Sequence, residues 1–298
     1  MPKNKHKPGK FSGHQTDTTS NIRNTNVPNP QLNNSSVGAD LILENSDMNY
    51  GYFYNKLYYS NFQSVDNTEK KQEEYTRLLN NKLLAKNKVF SSKNSEIYSH
   101  KFPLTIIYPG LVAGTGYGHE AKLKGEAKLG MHFNYSNGMP CIPGSSVKGV
   151  LRNAFITYPE FVVEILKKID PQTTFVSNNE IKKLENSIFG NDENKNQSIY
   201  NSDIFFDAEV IEKNSKKQIF DMDAITDHSN RDPIYEKSLL KNPLPIAFLK
   251  ISSGVKIQFN FKLTDSILPA AFKLELFKQI ILTLGIGAKT NVGYGQFK

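Results

Sequence analysis

Residues 140–155, Pro-Cys-Ile-Pro-Gly-Ser-Ser-Val-Lys-Gly-Val-Leu-Arg-Asn-Ala-Phe, constrain this chain more than any other stretch. A short apolar run meets Pro143-Gly144, which ends a strand and forces a turn. Ser145 or Ser146 is then placed to cap a helix. Val147, Val150, Leu151 and Ala154 recur at helical spacing and predict its buried stripe. Lys148 and Arg152 stand four apart and share a face near the helix start, where free backbone N–H groups favour an anion. Two hydroxyls and two cations at that point suit a phosphate-rich ligand. The plainer reading is a capped amphipathic helix with two solvated charges. The segment is not a Walker loop, because Lys148 precedes Gly149 rather than following it.

The C-terminal stretch, 285–298, is the natural companion. Gly285, Gly287, Gly293 and Gly295 permit tight turns and close backbone approach to a ligand, with Lys289, Thr290 and Asn291 at the tip. Val292 to Phe297 reads as a closing strand.

Composition sets the limits. The 298 residues carry 37 Lys+Arg against 29 Asp+Glu, a formal charge of +8 with pI about 9.2. That balance suits a nucleic-acid partner and is also found in ordinary proteins. Hydrophobic residues make up 38% and the mean hydropathy is −0.48, enough for one core with long polar insertions. Cys141 is the single cysteine, which excludes an internal disulfide and fits a reducing, cytoplasmic setting. No apolar run is long enough to span a membrane, and residues 1–40 show no secretory core. That leading segment is rich in Asn, Ser, Thr, Gly and Pro, with Lys3, Lys5, Lys7 and Lys10 near its tip, and reads as a flexible or extended basic arm. Residues 41–298 then form the folded domain.

Along that domain, Tyr50, Tyr52, Phe53, Tyr54, Tyr58, Tyr59 and Phe62 crowd one span. The expectation is packing or an interface, with base stacking the alternative. Residues 66–87 predict a helix. Phe102 to Val112 predicts the first core strand. The glycines at 114, 116 and 118 lack the offset and the helix of a dinucleotide site. Helices are expected through Thr157, from Pro159, over 178–189 and over 268–284. Strands are expected at 203–210, pairing with 217–225, and at 244–251 and 255–263, joined across Ser252-Ser253-Gly254. Without its insertions this is strand, helix, strand pair, helix, strand: an α+β ferredoxin-like (RRM-like) unit.

The two glycine segments resemble the RAMP superfamily of CRISPR proteins. There a Pro-Gly-Ser-Ser-x-Lys-Gly-x-x-Arg segment opens the first helix, and a Gly-x-Gly-x-Lys-Thr-x-x-Gly-x-Gly loop precedes the last strand. Within the superfamily the chain is similar to the sixth Cmr subunits of type III-B effector complexes. They share the pattern Asn242-Pro-Leu-Pro-Ile-x-Phe-Leu, a following Gly254 with an alternating strand, and an upstream Thr-x-His, here Thr226-Asp-His228. The resemblance spans about 102–298 and implies the same ferredoxin-like RAMP fold, with long insertions and an N-terminal helical extension.

It further implies a non-catalytic RNA-binding subunit in antiviral defence, near the 3′ end of the guide. Its partners would be guide RNA, target RNA, the repeating backbone subunit and the first Cmr subunit. Gly144, Ser145, Ser146, Lys148, Arg152, Gly287, Lys289, Thr290, Asn291 and Tyr294 are the expected RNA contacts. The two segments are expected side by side in one cradle, with Thr290, Asn291 and Tyr294 adding 2′-hydroxyl contacts or stacking. Phosphate contacts position RNA without reading its sequence, as a guide carrier requires.

The alternatives are a metal-independent CRISPR endoribonuclease, a type III-A RAMP subunit, or a scaffold that touches only protein. His228, beside Asp227 and Arg231, is the candidate general base of the enzyme reading, with His119 and His132 behind it. In Cmr complexes, target cleavage and cyclic oligoadenylate synthesis belong to other subunits. No cofactor is expected. Cysteine and histidine spacing gives no zinc site, and Asp221, Asp223 and Asp227 read as solvated carboxylates rather than metal ligands.

Overall fold

The computed structural model describes residues 49–60, 68–85, 88–90, 97–114, 125–127, 131–190, 202–226 and 245–298. The chain divides into the units Met1–Ser36 and Val37–Lys298, and every described residue belongs to the second. The basic arm at 1–40, His119, and the segment 227–244 with His228 lie outside the described residues.

The domain is built on one antiparallel sheet. Its strands are β1 (His100–Thr105), β2 (Cys141–Ile142), β3 (Ile204–Phe205), β4 (Ala208–Glu212) and β7 (Lys256–Lys262). β7 is central: β1 pairs along one edge, β3 and β4 along the other, and β2 extends the sheet beyond β4. The C-terminus closes the far side, with Thr105 N–H donating to Lys298 O at 2.9 Å and Ile107 N–H to Gln296 O at 3.0 Å. The C-terminal segment, β1, β7 and β4 thus lie in the order the ferredoxin-like unit requires, with α4 (Gly144–Thr157) and α7 (Ala270–Leu284) as its two crossover helices.

Alternation along the strands decides which face is covered. Phe102, Leu104 and Ile106 on β1 share a face with Ile257, Phe259 and Phe261 on β7, and all are buried. The rings interlock: Phe102 stacks on Phe259 at 5.3 Å, and Phe277 of α7 meets Phe261 at 5.6 Å. Truncating a ring at such a site costs about 3–5 kcal/mol. On the opposite face Lys101 and Pro103 are exposed, so the strands read apolar-in and polar-out. Helices α5 (Pro159–Ile169) and α6 (Asn178–Phe189) pack beside α4. The buried Lys273 of α7 donates to Asp203 Oδ2 at 2.7 Å and to Thr264 O at 2.9 Å, which ties the loop after β7 to the segment before β3.

Several expectations are corrected by the ladders. The pair at 244–251 and 255–263 is not a hairpin. β5 (Phe220–Thr226) pairs with β6 (Pro245–Ile251) in a separate two-stranded sheet, Asp221 opposite Lys250 and Asp223 opposite Phe248. Ser252-Ser253-Gly254 therefore carries the chain from that ribbon into the main sheet. Residues 217–225 do not pair with β4 for the same reason: β6 takes their edge. The stretch 102–112 is not one strand, because a cis peptide at Tyr108-Pro109 turns the chain and Gly110 takes φ 125°. Nor is 292–297 a strand. Thr290–Val292 is a 3-10 turn, and pairing resumes only where Phe297 faces Ile106.

The aromatic span near the N-terminus is packing. α1 (Tyr50–Tyr52), a π-helical turn (Phe53–Leu57) and α2 (Tyr58–Ser60) run on from one another. Phe53, Tyr54 and Tyr58 are buried. The Tyr54 hydroxyl donates to Ala127 O and the Tyr59 hydroxyl to Glu126 Oε1. Burial, then the Glu126 charge, raises the Tyr59 phenol far above its usual range. These rings close the core, while Tyr52 of the same span is 56% exposed and Phe62 lies outside the described residues. α3 (Glu69–Leu84) falls within the expected helix, with Leu79 and Leu83 buried.

Candidate functional site

α4 begins at Gly144, with Pro143 in the cap position. Neither serine caps it. Ser145 and Ser146 occupy the first turn, exposed and without side-chain hydrogen bonds to the described residues. The cap comes instead from across the sheet: Gly144 N–H donates to Asp207 Oδ1 at 2.8 Å. Ser146 N–H turns back on Pro143 O. A carboxylate of the protein thus already stands at this helix end, where sequence reasoning places a phosphate. The close fit explains the glycine, because a Cβ at 144 would overlap Phe205 O.

Beside this turn lies a cavity of about 410 Å³, lined by Ser145, Lys148, Ser187, Phe189, Gly190 and Phe205 among others. Lys148 Nζ sits 5.9 Å above the Phe205 ring and has no carboxylate partner among the described residues. Arg152 differs: its Nε donates to Glu185 Oε1 at 2.7 Å, leaving the side chain 43% exposed. Gly149 has open space around it, with nothing within 4 Å of an added Cβ.

The glycine loop is anchored from below and open above. Ile286 N–H donates to Gly295 O, Ala288 N–H to Val112 O, and Gly295 N–H to Gly110 O. Gly295 takes φ 67°, and a Cβ there would overlap Ile286 O, so only glycine closes this loop. Tyr294 is 8% exposed, and its hydroxyl donates to Asp223 Oδ2 at 2.7 Å. Lys250 Nζ lies 2.7 Å from Asp223 and 3.6 Å from Asp221. Tyr294 therefore holds the loop onto the β5–β6 ribbon and does not offer a free ring for stacking. Above it Gly287 and Asn291 are exposed and Lys289 and Thr290 half-buried. Lys289 adopts φ 62°, a left-handed backbone that favours glycine or asparagine.

The sheet register separates the two segments. Phe205, against which α4 opens, pairs with Phe261 near the C-terminal end of β7. The glycine loop lies where Ile106 N–H meets Val255 O, before the first residue of β7. From 255 to 261 is six residues, about 20 Å of strand. The expected single cradle is therefore two patches at opposite ends of the sheet. Sequence reasoning missed this because β2, directly before α4, pairs with β4 and sets the helix start at that edge.

Other candidates for chemistry are accounted for. Burial, with Asp207 and Glu209 beside it, pushes the Cys141 thiol up to about 12, which leaves it protonated and a poor nucleophile. Asp221 and Asp223 bracket an ammonium, not an open ion site. Among the described residues no group of His, Cys, Asp and Glu could hold a metal ion, and no helix is long and apolar enough to cross a membrane.

Comparison with known proteins adds the family. A sequence profile of the RAMP superfamily matches residues 103–298. A chain in the cryo-EM structure of the type III-B Cmr-beta bound to cognate target RNA is 20% identical, with TM-score 0.55, over 88% of this chain and 94% of that one. Cmr6 from Pyrococcus furiosus is 23% identical over 66% of this chain and 96% of its own, with TM-score 0.39. No curated protein matches. With two-thirds of its length inside the profile and a ferredoxin-like sheet closed by the glycine loop, the chain belongs to the RAMP superfamily.

Proposed function

We propose that this protein is a non-catalytic RNA-binding subunit of a type III-B CRISPR effector complex, of the sixth-Cmr kind, working in RNA-guided antiviral defence. Its partners are guide RNA, the guide–target duplex, the backbone subunit and the first Cmr subunit. The observation that carries the reading is Lys289. A cation is held in a left-handed conformation, at a cost of roughly 1–2 kcal/mol, on the open side of a rigid glycine loop. Among the described residues Lys289 has no ion-pair partner, so its charge is left for a phosphate.

Lys148, with Ser145 and Ser146, is the second contact, toward the other end of β7, whose span of about 20 Å leaves room for a strand of several nucleotides. Asp207 makes the helix end itself unattractive to phosphate; the contact is made by side chains. Arg152 contributes the guanidinium edge that Glu185 leaves free, and Thr290 and Asn291 reach sugar hydroxyls. All of these contacts go to the backbone, as suits a guide whose sequence varies.

The test is salt dependence. For single-stranded RNA, log affinity falls with log salt at a slope of about 0.7 per neutralised phosphate. Lys148→Ala and Lys289→Ala should each weaken binding and flatten that slope by about 0.7, and the double variant by about 1.4. An unchanged slope rejects these sites. Metal-free cleavage of repeat RNA, abolished by His228→Ala, would favour the endoribonuclease instead.

A further inference from the structure

Tyr108 is a large ring left in the open, 83% exposed, on a turn held by backbone hydrogen bonds. Ile107 N–H donates to Gln296 O, and Gly110 N–H to Ile107 O, both at 3.0 Å. Gly110 O in turn accepts from Gly295 N–H at 2.8 Å. An added Cβ at Gly110 would sit 2.6 Å from Ile251 O, so the backbone is pressed against β6. Pro109, the next residue, lies against the glycine loop: its Cδ would be 3.6 Å from a Cβ at Gly293. The Tyr108 hydroxyl is also near enough to Tyr294 to help raise that phenol, after burial and Asp223. Tyr108 thus belongs to the segment that carries the glycine loop, on which Lys289, Thr290 and Asn291 lie, with Val292 also exposed at 63%.

An exposed aromatic on a loose loop has no strong implication. Here the backbone that carries the ring is already held, so a partner that covers the ring orders only its side chain on binding. The charge around it selects the partner. Lys289 is cationic, and among the described residues the carboxylates beneath its loop, Asp221 and Asp223, are both engaged by Lys250. A single π-face next to a cation and exposed polar groups is the pairing used for unpaired bases, whereas a protein interface would present a broader apolar patch.

We propose that Tyr108 is a stacking platform for one unpaired RNA base, whose flanking phosphate rests on Lys289. This rests on the RNA-binding reading above and deepens it: the glycine-loop end of the protein takes RNA at a position where one base is unpaired and turned out.

The experiment uses the full chain and an unstructured oligouridylate carrying one 2-aminopurine as a stacking reporter. Tyr108→Ala should weaken binding roughly 5- to 150-fold and abolish the fluorescence quench. It should leave the salt slope unchanged, because a neutral ring releases no counterion. Tyr108→Phe should bind like wild type, since stacking needs no hydroxyl. Thermal unfolding of both variants should match wild type, given the exposure of the ring. If Tyr108→Ala binds normally while Lys289→Ala does not, the platform is wrong and the RNA-binding reading survives. If neither substitution matters, both readings fall. If Tyr108→Phe loses as much as Tyr108→Ala, or Tyr108→Ala weakens only association with another protein subunit, the ring is not a base platform.

Discussion

The two glycine segments of this protein look alike in sequence and do different work. At the start of α4, Gly144 makes room for the protein itself: Phe205 O occupies the space of its missing Cβ, and Asp207 accepts its N–H. The helix end is closed by an internal carboxylate. In the glycine loop the inner glycines again admit the backbone, but the loop is held from beneath by Tyr294, Asp223 and Lys250, and its outer side stays open. A glycine in a sequence marks close approach. Whether the approaching group belongs to the chain or to a ligand depends on what lies across from it.

The comparison breaks most sharply at the glycines that face inward. Gly295→Ala combines a left-handed φ, worth about 1–3 kcal/mol for a non-glycine residue, with overlap on Ile286 O, worth about 1–3 kcal/mol more. At about 2–4 °C per kcal/mol for a domain of this size, its melting temperature should fall by about 5–20 °C. Gly144→Ala carries the overlap alone, because its φ is helical, and should fall by about a third to a half of that. Equal melting temperatures for Gly295→Ala and wild type would show that the loop is not held as described.

Much of this was legible in the sequence. Helices α4 to α7 and the alternating β7 follow from apolar spacing, because each buries one continuous face. The chain order of the ferredoxin-like unit follows from them. The pairing was not legible. Residues 245–251 and 256–262 read as a hairpin across Ser252-Ser253-Gly254, yet β6 joins β5, since strand patterns state which face is buried and not which edge is shared. Tyr294 was read as a stacking ring because a tyrosine between glycines in a basic protein fits that role equally well. Only its burial and its bond to Asp223 decide otherwise. Tyr108 was missed because it lies within an apolar run that reads as strand, and the turn at Pro109 is what turns it outward.

The anchor beneath the glycine loop gives the next effect. Burial alone would raise the Asp223 carboxyl. Hydrogen bonds from Lys250 and Tyr294, and from Ala224 N–H, outweigh it and hold the group below its usual range. A depressed carboxyl contributes stability above its unfolded value, near 3.9, and loses it as pH falls through the lower folded value. Asp223→Asn should cost about 1.5–3 kcal/mol at neutral pH. The gap between wild type and variant should close as the pH drops below about 4. Thermal unfolding at stepped pH measures it, and a gap that persists in acid would show that Asp223 acts by shape rather than charge. Hydrogen exchange should show the loss concentrated in 285–295, with α4 protected as before.

Gly149 sharpens the comparison with the smallest change, because two readouts should move in opposite directions. It lies in the interior of α4, exposed, with Ser145 four residues before it and Arg152 three after, on the same surface as Lys148. Among the described residues, and apart from its own helix, no atom lies within 4 Å of where its Cβ would be. A glycine there lowers helix stability by about 1 kcal/mol relative to alanine, and the fold supplies no compensating contact. On the proposed reading, an RNA backbone passing Lys148 would use that space. Gly149→Ala should therefore raise the melting temperature by about 2–4 °C while weakening RNA retention. Gly287→Ala at the other patch provides the contrast. Its φ of 103° and the closeness of Val112 O make any loss of RNA there inseparable from loss of the loop. If Gly149→Ala stabilises the protein and RNA is held as tightly as before, the α4 face is ordinary solvated helix and the glycine loop alone carries the RNA.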